Sequence, residues 1–131
     1  MKRPLLAFSI DFEGFVESME ESVRIEPSFP RYKIHDELAR NTDGCLELLG
    51  RYGVSCTFFV LGWIAERFPD IVRQLAEHGH EIESHSYWHK RLSALSAKQV
   101  AEDIGRARNV LEDACGQRIE GFRAPDFSLP R

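Results

Sequence analysis

The sequence VSCTFFVL at residues 54–61 decides the fold of this chain. Its residues form a continuous apolar run of β-branched and aromatic side chains, which predicts a strand covered on both faces. A second apolar run at residues 5–10 ends at Asp11 and predicts a first strand of the same kind. Residues 80–84 and 119–123 predict a third and a fourth strand. Strands that are buried on both faces are typical of parallel sheets.

Helical patterns separate these strands. Segments with apolar residues at helical spacing, bounded by capping residues, glycine or proline, occur at residues 41–53, 63–68, 70–79 and 96–116. Residues 14–35 contain turn formers and no sustained period, so we expect an irregular excursion over the surface. Strands that alternate with helices predict right-handed crossovers and an α/β fold built on a parallel sheet or barrel.

The composition is that of one globular domain. The chain has 131 residues, 43% of them hydrophobic and 29% charged, and a formal net charge of −4. This composition excludes a collagen-like chain, a coiled coil and a long disordered tail. The acidic balance, with no long basic run, argues against nucleic acid or an anionic membrane as the main partner.

Cysteine usage and the N-terminal sequence bear on the compartment. Three widely spaced cysteines (Cys45, Cys56 and Cys115) make neither a disulfide framework nor a zinc knuckle, so we expect free thiols. No segment reaches the roughly 20 apolar residues of a membrane helix. The first apolar run is short and lacks a small-residue cleavage site, which favours a buried strand over a signal peptide. We therefore expect a cytoplasmic protein.

Ionisable residues gather where the predicted strands end. Asp11 and Glu13 follow the first strand, His85 and His89 follow the third, and Arg123 ends the fourth. Because functional sites in parallel α/β folds form at the carboxyl ends of the strands, these side chains are candidates for one site.

The types and spacings of these residues suggest metal chemistry. Two histidines four residues apart, such as His85 and His89, can bind one metal ion from a helix or a tight loop, although surface or capping histidines share this spacing. A carboxylate with two histidines is a common catalytic zinc set, and a second carboxylate can act as a base. The alternative for Asp11 and Glu13 is a solvated turn acid beside a helix-capping acid. Arg123 beside a carboxylate would hold it ionised and oriented, but at a strand end it is also an ordinary surface residue.

Three segments resemble the first three motifs of the polysaccharide deacetylases, the NodB-homology proteins of carbohydrate esterase family 4, and a fourth segment resembles the family's second strand. The motif segments are SIDFE at residues 9–13, HEIESHSYWH at 80–89 and FRAP at 122–125, and the strand segment is YGVSCTFFVLG at 52–62. The resemblance covers essentially the whole chain and implies a distorted (β/α) barrel of about seven strands. Residues 1–131 would then be the N-terminal part of a single such domain, with about four parallel strands.

The resemblance implies a role for each candidate. Asp11 would be the catalytic base, Arg123 its tether, and His85 and His89 ligands of a divalent metal, most simply zinc. The usual first motif has adjacent acids, whereas Phe12 separates Asp11 from Glu13 here, as in a spaced D-x-E variant, so Glu13 would be the third ligand. The family's later motifs, including a histidine that acts as general acid, would lie beyond the last residue of this chain.

The implied activity is hydrolysis of N-acetyl groups from the amino sugars of a polysaccharide. Two alternatives stay open: a cytoplasmic cyclic amide or ureide hydrolase of the same fold, and a non-catalytic fragment that binds metal or glycan. Glu83 is a candidate outer-shell partner of the metal site, and Trp63 and Trp88 are expected in the core rather than in a sugar groove. Strand edges left exposed by a partial barrel would favour association of chains.

Overall fold

The computed structural model describes residues 6–14 and 34–129. Within these residues, parallel strands alternate with α helices, as the sequence predicts for an α/β fold. The elements are β1 (Ser9–Phe12), α1 (Ile34–Tyr52), β2 (Thr57–Val60), α2 (Gly62–Arg67), α3 (Pro69–Glu77), β3 (Glu81–Ser84) and α4 (Ala97–Cys115), with short 3-10 turns at Leu92–Ala94 and Pro125–Phe127.

The three strands form a parallel sheet in the order β1-β2-β3. Their register aligns Ser9 with Thr57 and Thr57 with Glu81, so the strands start and end level with one another. Consequently the residues that follow β1 and β3 leave the sheet at the same edge. This alignment brings the predicted site residues together.

The two faces of the sheet differ in chemistry. Alternate side chains point to opposite faces of a strand, and Phe12, Phe58, Val60 and Ile82 lie in a buried core with apolar residues of all four helices. The opposite face carries Asp11, Phe59 and Glu83 at aligned positions. The helix-covered face therefore provides stability, and the other face provides polar groups.

The helix ends confirm several sequence signals. Ser96 forms a capping box with Gln99 at the start of α4, and Gly116 ends that helix in the left-handed region at φ 69°. Gly53 after α1 also has a positive φ, of 61°. Both conformations favour glycine, which explains why the helices end at these residues.

The predicted start of the first helix was wrong. Instead of starting at residues 41–43, α1 starts at Ile34, so residues 34 and 35 of the predicted excursion are helical. Asp36 and Glu37 lie in its first turn, where negative charge complements the helix dipole. Thr42 resembles a cap in sequence but is buried inside the helix. Residues 15–33, the rest of the predicted excursion, lie outside the described residues.

The strands are shorter than predicted. The first begins at Ser9 rather than at residue 5, and Leu6 and Phe8 are exposed. β2 occupies Thr57–Val60 of the predicted run 54–61. The predicted fourth strand at residues 119–123 is reduced to a single bridge between Ser84 and Phe122. The first two strands end with the four-residue register that they share with β3, whereas residues 119–123 pair with β3 only at Ser84.

Two further sequence predictions concern cysteines and tryptophans. Cys45, Cys56 and Cys115 are free thiols, as expected. Trp63 packs against the core as predicted, whereas Trp88 is 53% exposed, so its core assignment was wrong. Among the residues that the structure describes, no helix combines the length and apolarity needed to cross a membrane. The cytoplasmic location stays a prediction.

Candidate metal centre

Glu13, His85 and His89 converge at the carboxyl edge of the sheet. One ligand atom from each lies within 4.8 Å of the other two. Oε2 of Glu13 is 2.8 Å from Nε2 of His89 and 3.7 Å from Nε2 of His85. Both histidines are buried and the carboxylate is partly buried. The three residues thus form a compact cluster that solvent reaches mainly from the side of Glu13.

A tight loop, not a helix, carries both histidines. Ser86 and His89 adopt positive φ angles of 70° and 61°. The hydroxyl of Ser86 accepts a hydrogen bond from the backbone N–H of His89 at 3.0 Å. The backbone of this loop is also tied to α2, because the N–H of Gly62 donates to the carbonyl of Ser86 at 2.9 Å. This folded loop brings the two imidazole rings to 5.1 Å between centroids.

The hydrogen bond of His85 fixes its tautomer. Nδ1 of His85 lies 2.8 Å from the backbone carbonyl of Arg123. A carbonyl oxygen can only accept, so Nδ1 carries the hydrogen and Nε2 of the neutral ring presents a lone pair toward Glu13. Burial lowers the pKa of His85, and the Arg123 carbonyl and the carboxylates of Asp11 and Glu13 offset this only in part. The neutral, metal-binding form of the ring is therefore favoured.

The donor set of this cluster fits a divalent cation. Oε2 of Glu13 is buried, and although Nε2 of His89 lies 2.8 Å away, this contact does not have hydrogen-bond geometry. The same oxygen faces the lone pair on Nε2 of His85 across 3.7 Å. Two electron-rich atoms facing each other in a buried site are stabilised by a cation between them. Two imidazoles and one carboxylate are ligands typical of zinc and related metals.

Arg123 connects the cluster to Asp11. Its guanidinium donates to Oδ1 of Asp11 through Nη1 and to the hydroxyl of Ser9 through Nη2, the latter at 2.7 Å. It also stacks over the ring of Phe59, 4.0 Å from the centroid. These contacts fix the Asp11 carboxylate next to the cluster, and Asp11 is not a member of the three-ligand group.

The five residues predicted from the sequence are thus brought to one edge, but their supports were missed. Ser9 and Phe59, which hold Arg123, lie on the same sheet face as Asp11, so strand alternation could have indicated them. Glu83, predicted as an outer-shell partner of the metal site, accepts hydrogen bonds from the backbone of Glu120 and Gly121. The sequence contains no local signal for that contact, because the partners are backbone groups far along the chain.

The family is shown by comparison with known sequences. A sequence model described as polysaccharide deacetylase matches residues 33–130. This chain belongs to the polysaccharide deacetylase family.

Individual relatives are named for glycan substrates. A peptidoglycan-N-acetylglucosamine deacetylase of Bacillus cereus is 35% identical over 89 residues, which cover 68% of this chain and 30% of the relative. A chitooligosaccharide deacetylase of Azorhizobium caulinodans is 34% identical over 85 residues, covering 64% of this chain and 40% of the relative.

Solved structures support the fold. The peptidoglycan deacetylase PdaC of Bacillus subtilis superposes with a TM-score of 0.66 at 29% identity, covering 69% of this chain and 45% of that one. A pseudoenzyme of carbohydrate esterase family 4 from Bacillus anthracis superposes at 0.68 with 23% identity, covering 70% and 32%, and shows the fold alone. The chain spans less than half the length of each of these four relatives.

Proposed function

We propose that this chain is the N-terminal part of a metal-dependent hydrolase that removes N-acetyl groups from the amino sugars of a polysaccharide. The observation that carries the proposal is the convergence of Glu13, His85 and His89 beside the Asp11–Arg123 pair. The names of the relatives support N-acetylated glycans such as peptidoglycan or chito-oligosaccharides as the substrate class.

Zinc is the proposed metal, held by Glu13, His85 and His89. Its preference for imidazole nitrogen and carboxylate oxygen, with three protein ligands in catalytic sites, agrees with this donor set. When bound, such an ion supplies Lewis-acid polarisation of a carbonyl and acidifies water.

Asp11 is proposed as the general base. Arg123 binds Oδ1 of this carboxylate, which leaves Oδ2 to take a proton from the attacking water. Arg123 restricts the rotation of the carboxylate, which holds the proton acceptor in one orientation. Departure of the amine requires a proton donor. By resemblance to the family, a histidine of a later motif supplies it.

The experiment combines metal binding with two kinds of substrate. The 131-residue chain is titrated with zinc. The longest natural polypeptide that contains this chain is assayed for acetate release from chitopentaose and from peptidoglycan. We expect zinc binding by the chain, acetate release by the longer polypeptide and none by the chain alone. Opening of a cyclic ureide without acetate release would instead favour the cyclic amide hydrolase. Zinc binding with neither reaction would favour a non-catalytic metal- or glycan-binding protein.

Association of chains is also proposed, through the exposed edge of the sheet. Leu6 and Phe8, which precede β1, are 90% and 46% exposed. Exposed strand edges are templates for pairing with another strand. Light scattering of the chain across a range of concentrations tests this, and a constant monomeric mass contradicts it.

A further inference from the structure

The carboxylate of Glu83 is buried and binds backbone N–H groups. Glu83 lies in β3 and is 7% exposed. Oε2 accepts hydrogen bonds from the backbone N–H of Glu120, at 3.0 Å, and from that of Gly121. Hydrogen bonds from backbone N–H groups to an ionised carboxylate are shorter and stronger than neutral ones. The side chain of Glu83 therefore binds the backbone of residues 120–121.

Gly121 leaves room for this carboxylate because it has no side chain. A Cβ atom on Gly121 would lie 2.9 Å from Cδ and 3.1 Å from Oε2 of Glu83. Real Cβ atoms are essentially never this close to a neighbour, so any side chain at position 121 would displace Glu83 or the backbone. The carboxylate and the glycine are thus complementary in shape as well as in hydrogen bonding.

Residues 120–123 form few other hydrogen bonds with the sheet. They pair with β3 through one bridge, in which the N–H of Ser84 donates to Gly121 at 3.1 Å and the N–H of Arg123 donates to Ser84 at 2.9 Å. A regular strand would add further ladder bonds on either side. Here the two hydrogen bonds to Glu83 replace these ladder bonds.

The same segment leads directly to the site. Two residues after Gly121, the carbonyl of Arg123 accepts the hydrogen bond from Nδ1 of His85. The guanidinium of Arg123 binds Asp11. The position of residues 120–123 relative to β3 therefore sets the orientation of one ligand and of the proposed base.

We infer that Glu83 is a positioning residue of the metal site, acting through Gly121 and Arg123 on His85 and Asp11. The hydrogen bonds of Glu83 are to the backbone of residues 120 and 121, so its effect on the ligands and on the base is indirect. The inference rests on the proposed function, because it assumes that the site binds a metal. Its central contact, the hydrogen bond from His85 to the Arg123 carbonyl, is formed in the metal-free structure.

The test compares three variants in the 131-residue chain: Glu83→Ala, Glu83→Gln and, as matched control, Glu81→Ala. Glu81 is an exposed carboxylate two residues away on the same face of β3, and it accepts a hydrogen bond from the Thr57 hydroxyl rather than from residues 120 and 121. NMR of the ¹⁵N-labelled, metal-free chain follows exchange of the His85 Nδ1–H proton, and a zinc titration follows affinity.

The expected result distinguishes positioning from general stability. Glu83→Ala should expose the His85 Nδ1–H to rapid exchange and weaken zinc binding about 10-fold, the lower range for loss of an outer-shell partner. Glu83→Gln should largely rescue both, because its amide oxygen still accepts from both N–H groups. Glu81→Ala should match the parent chain, and backbone amides of β2 should stay protected in all three.

Three results would overturn the inference. The first is a protected His85 Nδ1–H and parental zinc affinity in Glu83→Ala. The second is loss of β2 protection in parallel with loss of zinc affinity, which would make Glu83 a general structural residue. If Glu83→Ala does not fold, Gly121→Ala perturbs the same contact from its other side, and an unchanged His85 Nδ1–H signal there is the third. Failure of the parent chain to bind zinc would contradict the proposed function and leave the hydrogen-bond result to decide this inference.

Discussion

Arg123 joins Asp11 and His85, residues from two different strand ends, by using separate parts of one amino acid. Its guanidinium binds the carboxylate of Asp11, 112 positions earlier in the chain. Its backbone carbonyl accepts the hydrogen bond from Nδ1 of His85 at 2.8 Å. Because the side chain and the backbone act independently, substitutions of Arg123 affect the proposed base, whereas movements of its backbone affect the ligand as well.

Replacing Asp11 with Asn should separate proton transfer from metal binding. Asn retains an oxygen that accepts the hydrogen bond from Arg123 but cannot act as a base at neutral pH. In the longest polypeptide that shows acetate release, we expect turnover to fall by about 10²–10⁴-fold, the range for loss of a general base. Zinc affinity of the variant should equal that of the parent. A comparable loss of zinc would show that Asp11 is a ligand.

Replacing His89 with Ala should reduce zinc affinity in the 131-residue chain. Nε2 of His89 is 2.8 Å from Oε2 of Glu13, so its loss removes one of three converging donors. Competition with a chromogenic zinc chelator measures the change. His78→Ala is the control, because His78 is exposed and lies outside the ligand group. Equal affinity in the two variants would contradict the assignment of His89.

Replacing Arg123 with Lys should impair turnover without loss of metal. An ammonium group cannot bind Asp11, reach the Ser9 hydroxyl and stack flat on Phe59 at the same time. The backbone carbonyl that orients His85 is retained. We expect turnover to fall by about 10²-fold, as for a misplaced catalytic group. Parental turnover together with parental zinc affinity would show that the guanidinium has no special role.

The parts of the fold that the sequence predicts are those with local signals. The continuous apolar run around Phe58 indicates a buried strand wherever it stands in the chain. Ser96 and Gly116 mark helix ends because capping and left-handed backbone are properties of a few neighbouring residues. The convergence of the candidate site residues was predictable because the carboxyl ends of parallel strands meet at one edge.

The parts that were missed depend on tertiary contacts. Thr42 is a residue of the capping type, yet packing buries it inside α1. The predicted strand at 119–123 pairs at a single bridge, and backbone bonds to Glu83 support it instead. Residue type and period do not encode which backbone amide a distant carboxylate reaches. The tertiary structure alone decides contacts of this kind.

His80 should make the metal-free chain less stable at mildly acidic pH. Its Nδ1 accepts a hydrogen bond from the N–H of Cys56 at 3.4 Å, which requires the neutral ring. Burial lowers the pKa of His80, and the charge of His78 adds to this. The unfolded chain therefore binds more protons just below the ordinary histidine value of about 6.5, so stability falls as pH decreases through that value toward the folded one.

Replacing His80 with Asn should reduce this pH dependence. The Asn oxygen can accept the hydrogen bond from Cys56 and does not titrate. Urea unfolding of the metal-free chain at pH 7.5 and pH 5.5 gives the comparison, and His85, whose pKa is lowered in the same direction, should leave a residual slope. An identical loss of stability in parent and variant would contradict the prediction.

Two glycines should respond in opposite directions to alanine. At Gly62, the start of α2, a Cβ atom would lie 2.7 Å from Cδ2 of Tyr87 and 2.9 Å from the backbone Cα of Ala107. Gly62→Ala should therefore destabilise the chain by about 1–3 kcal/mol, as overpacking does. Tyr87 stands in the loop between His85 and His89, so we also expect weaker zinc binding.

Gly105 is exposed within α4 with nothing within 4 Å of the added atom. Gly105→Ala should stabilise by up to about 1 kcal/mol through helix propensity, with unchanged zinc affinity. Urea unfolding of both variants measures the difference, and shifts of the same sign would contradict the packing between α2, the loop and α4 on which the prediction depends.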